Sequence, residues 1–77
     1  LDAAKLAAER LRIAVENQSI TLEDGRIIRF TSSIGLTELS LSDHILDEPL
    51  KRADLALYHA KNHGRNQFIA FEDIPAA

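Results

Sequence analysis

The stretch Ala53-Asp54-Leu55-Ala56-Leu57-Tyr58-His59-Ala60-Lys61-Asn62-His63-Gly64-Arg65-Asn66 decides how this chain reads. Leu50, Ala53, Leu57 and Ala60 recur at helical spacing, which predicts the last turns of an amphipathic helix with that stripe buried. Gly64 stands where a left-handed stop is expected. Lys61 and Arg65 flank the stop, four positions apart. Phosphate recognition needs positive charge at fixed places; lysine supplies a compact point charge and arginine a planar fork of donors. At i and i+4 across a helix end the two side chains can converge on one anion. Spacing alone favours a plainer role, since two cations there also satisfy the negative end of the helix dipole and basic residues in a last turn are common.

Working outward, Pro49 fits the first turn of this helix, where a missing N–H costs nothing, so the helix spans about 49–63. Ser40 to Glu48 is a polar, acidic connection. Gln67 to Phe71 reads as a short closing strand and Pro75-Ala76-Ala77 as a frayed tail. Ile27 to Glu38 is the best strand in the chain. One face would carry Ile28, Phe30, Ser32, Ile34 and Leu36, the other Arg29, Thr31, Ser33, Gly35 and Thr37. Gly35 inside it marks a close backbone approach or a bulge. Ser19 to Leu22 is β-prone, and Glu23-Asp24-Gly25-Arg26 signals a tight hairpin, so hairpin and strand together cover about 19–39. Residues 2–17 form a first helix with Ala4, Ala7, Ala8, Leu11, Ala14 and Val15 as its buried stripe and Asn17 as its cap.

The order helix, hairpin, strand, helix, strand is α+β. These strands are too few for a well-covered sheet, and two such helices need more sheet to lie on. The layer is therefore expected to be completed by residues upstream or by a second copy. Residue Leu1 with a helical pattern starting at once, and no methionine anywhere, reads as the interior of a longer protein.

The 77 residues allow at most one small domain. A chain of this size buries only about 60% of its unfolded surface. No cysteine is available for a disulfide, which is compatible with a reducing cytosol. The net charge of −3 gives no broad attraction to nucleic acid or to an anionic membrane. No apolar run approaches the roughly 20 residues of a membrane span, and no signal peptide opens the chain.

The stretch from Arg52 onward closely resembles the C-terminal signature of the GGDEF family, the diguanylate cyclases. The match includes Arg52-Ala53-Asp54, Ala56-Leu57-Tyr58, Ala60-Lys61 and Gly64-Arg65-Asn66, without a gap. Ser33-Ile34-Gly35 is similar to that family's Ser-Ile-Gly strand. Ala8-Glu9-Arg10-Leu11-Arg12 is similar to the helix after its GGDEF hairpin. The Lys61 region is a specific signal; the other two are weak alone and persuasive together. The naming motif itself, with its metal-binding aspartate, is absent from the chain.

The resemblance implies residues 1–77 as the C-terminal half of a ferredoxin-like, nucleotide-cyclase-type domain. It implies that two GTP condense to cyclic di-GMP across a homodimer of such domains. Lys61 and Arg65 would contact the GTP phosphates, and Mg2+ would be bound by residues outside this chain. Arg10 matches a secondary contact for cyclic di-GMP in product-inhibited members, although the primary Arg-x-x-Asp motif is missing. An exposed arginine paired with Asp2 or Glu16 is the more ordinary expectation. A cytoplasmic location is implied, with the parent anchored or linked to a sensor. The isolated chain is expected to be inactive. Two alternatives stay open: a degenerate regulatory module that binds nucleotide, and a fragment that self-associates.

The remaining candidates favour structural roles. Asp54 is expected in helix-end or helix–strand hydrogen bonding and Tyr58 as a partly buried ring with a wet hydroxyl. His59 and His63, at i and i+4, have the spacing of a zinc pair but no third ligand. Asp43, Asp47 and Glu48 suit a helix N-terminus, where the dipole favours acids.

Overall fold

The computed structural model describes residues 1–75; of the expected frayed tail, Ala76 and Ala77 lie outside the described residues. The chain runs α1 (Asp2–Glu16), β1 (Ser19–Thr21), β2 (Ile27–Arg29), β3 (Ser33–Leu36), α2 (Asp47–Asn62), β4 (Gln67–Ala70) and a 3-10 turn, Phe71–Asp73. This is an α+β fold with two small sheets.

Gly35 sets the centre of the packing. β3 and β4 pair in parallel, with Ser33 opposite Gln67 and Gly35 opposite Ile69, and α2 is the crossover between them. A side chain at Gly35 would press into the backbone of Ala53 and Leu57, so α2 lies directly on the strand. Ala56 and Ala60 are fully buried, and small residues on both sides allow this approach. α1 also packs on β3 and β4 but scarcely meets α2. Helices are about 10 Å wide and neighbouring strands about 5 Å apart. Two helices sharing one face of a two-stranded sheet would touch, so α1 and α2 cover opposite faces. Side chains alternate along a strand; with Gly35 facing α2, Ile34, Leu36, Phe68 and the buried Ala70 face α1, which contributes Ala8.

The long strand expected over 27–38 is two strands in two sheets. β2 pairs antiparallel with β1, Ile20 opposite Ile28, and 30–32 carry the chain across to β3. Period-2 alternation persists through that crossing, so pattern alone does not reveal it. The hairpin closes through Leu22 N–H to the Arg26 carbonyl (2.8 Å), with Gly25 at φ +89°. It projects from the body and stretches the molecule to 53 × 25 × 21 Å. Its radius of gyration, 15.3 Å, exceeds the about 11–12 Å of a compact chain this long.

Both predicted helical stripes need correction. On α1 only Ala8 is buried; Ala4, Ala7 and Ala14 are exposed and Leu11 is 57% exposed. On α2 the buried residues are Pro49, Ala56 and Ala60, while Leu50 is 50% exposed. Two strands are too narrow to cover two apolar helix faces, and what remains of each stripe faces solvent. Helix α2 also starts two residues early, with Asp47 and Glu48 in its first turn, where the dipole favours acids. β4 ends at Ala70, because the chain turns into the 3-10 segment at Phe71. Asn17 does cap α1, in right-handed backbone.

Candidate functional site: the turn after helix α2

Helix α2 stops through its own sequence. Gly64 adopts φ +114°, and the Arg65 N–H donates to the Ala60 carbonyl at 2.9 Å, the long bond of a Schellman motif. The Gln67 side-chain amide donates to the same carbonyl at 3.2 Å and to the His63 carbonyl at 2.8 Å. The last carbonyls of α2 are thus satisfied by residues beyond the helix. Arg65 and Asn66 continue in left-handed backbone, φ +59° and +47°. That conformation costs an L-residue about 1–2 kcal/mol, less for asparagine. Such strain persists only where the surroundings over-determine it, and it collects at binding sites.

This geometry corrects the i, i+4 argument for Lys61 and Arg65. The helix has ended at Asn62, so the two cations do not share a helical face. The bond from the Arg65 N–H to the Ala60 carbonyl instead sets the Arg65 backbone beside the last turn of α2, which carries Lys61. Both side chains are exposed, and neither has an ion-pair partner among the described residues.

A side-chain bond also reaches the turn from α1. Arg12 of α1 donates to Asn66 Oδ1 at 3.0 Å. Arg12 is held by Glu9, whose oxygens accept from its Nε at 3.0 and 3.1 Å, and by Glu16 at 2.6 Å. These carboxylates, Glu9 foremost, raise the arginine above its ordinary value, and Glu9 is held below the usual carboxylate range by the same contact. Arg10 has no such bond to the turn. Nor does it pair with Asp2 or Glu16 as expected: Arg12 has taken the Glu16 carboxylate. A shallow groove lined by Glu16, Asn17, Arg29, Phe30, Thr31 and Asn66 opens beside the turn.

At the other end of α2, Arg52 ties the connecting loop to the helix. Its guanidinium binds Asp43 with two parallel bonds (2.8 and 2.7 Å) and also reaches Thr37 Oγ1 (3.1 Å) and the Glu38 carbonyl (2.8 Å). Asp43 is therefore an ion-pair partner and not a helix-dipole acid, and Arg52 holds its carboxyl far below the usual range. Thr37 Oγ1 donates onward to Glu72 at 2.9 Å, and the Glu38 N–H donates to the same oxygen at 2.8 Å. Burial pushes Glu72 up, but these two bonds, a backbone N–H of its own and the nearby Arg52 together leave it below its ordinary value.

The other signature residues are less engaged than expected. Asp54 is exposed and makes no side-chain hydrogen bond among the described residues, and Tyr58 is 69% exposed. Both lie on the outer face of α2, which no other element of the described chain covers. The His59 and His63 rings stack at 3.8 Å, with His63 Nδ1 2.8 Å from the His59 carbonyl. Stacked rings present faces rather than converging lone pairs. Among the described residues no group of three His, Cys, Asp or Glu could hold a metal ion. No described helix is long and apolar enough to cross a membrane.

Sequence reasoning missed Arg12, Asn66 and Gln67. Asn66 had a readable signal: asparagine directly after Gly-Arg at a helix stop tolerates left-handed backbone. Arg12 had none, because its partner lies 54 positions away.

Comparison with known proteins converges on one family. The family model "Diguanylate cyclase, GGDEF domain" matches residues 1–67. Diguanylate cyclase A of Treponema denticola is 42% identical over 76 residues, which are 97% of this chain and 20% of that protein. Diguanylate cyclase DgcM of Escherichia coli K12 is 44% identical over 70 residues, 91% of this chain and 16% of that protein. Probable diguanylate cyclase DgcE of the same strain is 32% identical over the whole chain, 7% of its own length. The chain thus spans a fifth or less of each of these relatives.

Proposed function

The chain belongs to the GGDEF family of diguanylate cyclase domains, and from that footing we propose that residues 1–77 form the phosphate-holding part of a cyclase domain, with Lys61 and Arg65 contacting the phosphates of GTP. The observation that carries this reading is the strained turn after α2, which presents two exposed cations without ion-pair partners among the described residues.

In the reaction, the 3′-oxygen of one GTP bonds to the α-phosphorus of a second. The hydroxyl gives up its proton to solvent, and the bond from that phosphorus to pyrophosphate breaks. Repeating the step with the roles exchanged closes cyclic di-GMP and releases a second pyrophosphate. Negative charge grows on the leaving pyrophosphate as its bond breaks. The Lys61 ammonium and the Arg65 fork stabilise it from a turn whose backbone is fixed beforehand. One domain holds one GTP, so two domains face each other as a homodimer. Magnesium belongs to residues outside this chain, and the isolated chain makes no cyclic di-GMP.

The test incubates the full-length protein with GTP and magnesium and chromatographs the nucleotides, with Lys61→Ala and the isolated chain alongside. Cyclic di-GMP from the full-length protein, none from the chain alone, and a loss of about a hundredfold in Lys61→Ala are the expected results. No product under activating conditions leaves the degenerate, nucleotide-binding module. Turnover by the chain alone refutes its inactivity.

A second reading is favoured by the exposed apolar residues of the hairpin and helices, among them Ile20, Ile27, Leu11, Leu50 and Leu55. In isolation the chain self-associates through these surfaces. Size-exclusion with light scattering checks it, and a well-folded monomer contradicts it.

A further inference from the structure

We infer that Arg12 is a positioning residue for the phosphate site: through Asn66 it holds the turn that presents Lys61 and Arg65. The inference rests on the proposed role of those two cations. The start of the turn is shaped by bonds from within α2 and the start of β4, namely Arg65 N–H to Ala60 and Gln67 to Ala60 and His63, and just past it Gln67 enters the ladder opposite Ser33. Those bonds fix where the turn begins. Its exit, at left-handed Asn66, is held from α1 by the 3.0 Å bond from Arg12.

The chemistry of the pair fixes an orientation as well. A guanidinium has donors only, so Asn66 must turn its oxygen to Arg12 and its NH2 elsewhere. Arg12 is itself held: its side chain is 17% exposed and is gripped by Glu9 and Glu16 on its own helix. It is a fixed donor rather than a wandering surface cation. The bond ties the sheet face that carries α1 to the end of the helix on the opposite face. The turn's conformation then depends on the docking of α1 as well as on its own sequence.

The test uses the full-length protein, with GTP affinity measured by calorimetry below the melting transition and steady-state kcat and KM measured beside it. Arg12→Ala removes the donor. Asn66→Gly removes the acceptor while keeping left-handed backbone accessible. Arg12→Lys keeps the charge but loses the fork that serves Glu9, Glu16 and Asn66 together. Each variant should weaken GTP about tenfold, with a larger change in KM than in kcat, and the Arg12→Ala/Asn66→Gly double variant should be no weaker than either single one. Additive losses in the double variant, or an unchanged affinity in Arg12→Ala while Lys61→Ala is impaired, overturn the role of Arg12. If Lys61→Ala leaves GTP affinity unchanged as well, the phosphate-site reading beneath it fails.

Discussion

Gly35→Ala adds one methyl group, and its cost can be worked from the packing. The new Cβ would stand 2.5 Å from the Leu57 nitrogen, 2.9 Å from Leu57 Cβ, and closer still to the Ala53 carbonyl oxygen. Ordinary contact begins near 3.4 Å, so α2 must retreat from β3 by about 1 Å. None of the three atoms can rotate aside, because two are backbone and the third is bonded to it. A gap of that size forfeits about a quarter to a half of the dispersion attraction across the seam, where Ala53, Ala56, Leu57 and Ala60 lie. Overpacking typically costs about 1–3 kcal/mol, and immovable neighbours put this site at the top, about 3 kcal/mol. For a domain of about 150–250 residues that lowers Tm by about 6–12 °C. Gly25→Ala is the control. Its φ of +89° strains alanine, but no atom lies within 4 Å of the new methyl, so only the left-handed cost of about 1–2 kcal/mol applies. Calorimetry of the full-length protein reads both. A Gly35→Ala domain melting within about 2 °C of the parent would refute the close approach of α2 to β3.

Gly64→Ala should cost about 1 kcal/mol or more, since φ +114° is forbidding for alanine while the nearest atom is 3.8 Å away; GTP affinity should fall with it, and a loss of stability with unchanged affinity would separate the turn from binding. Arg52→Met should free the loop 37–43, seen as faster amide exchange at Glu38 and Ser40, whose N–H groups now bond Glu72 and Asp43. The same variant should flatten the acid limb of the stability curve. Asp43 is depressed in the folded state, so its contribution is fully present above its ordinary value of 3.8 and is lost as pH falls toward the folded value. Denaturant midpoints measured from about pH 6 to about pH 3 check the sign, and a parent whose stability rises on acidification would contradict it.

The helices, the hairpin and the closing strand were legible in the sequence because each has a local cause. Asp24-Gly25 turns the hairpin, Gly64 stops α2, and small residues at Ala56 and Ala60 permit close packing. The helical stripes were misjudged for a non-local reason. Leu11 and Leu50 fit an apolar period, but the two strands that meet these helices are too narrow to cover them. The break at 30–32 was hidden because alternation carries no mark of a change of sheet. At the site, Lys61 and Arg65 stood out by type and spacing, yet α2 ends between them, so their relation is set by the Schellman bond at the turn rather than by a shared helical face. Arg52 was visible only as part of a signature. Its three partners, Thr37, Glu38 and Asp43, lie in a loop whose course no periodicity fixes.

The central claim is that the turn after α2 grips phosphate. Its most direct test compares the affinities of the full-length protein for GTP and for guanosine, which lacks phosphate, in the parent and in Lys61→Ala. The account predicts that Lys61→Ala weakens GTP by about tenfold or more, with the loss shrinking as salt rises, and leaves guanosine unchanged. An equal loss for both ligands, or no loss for GTP, would contradict it.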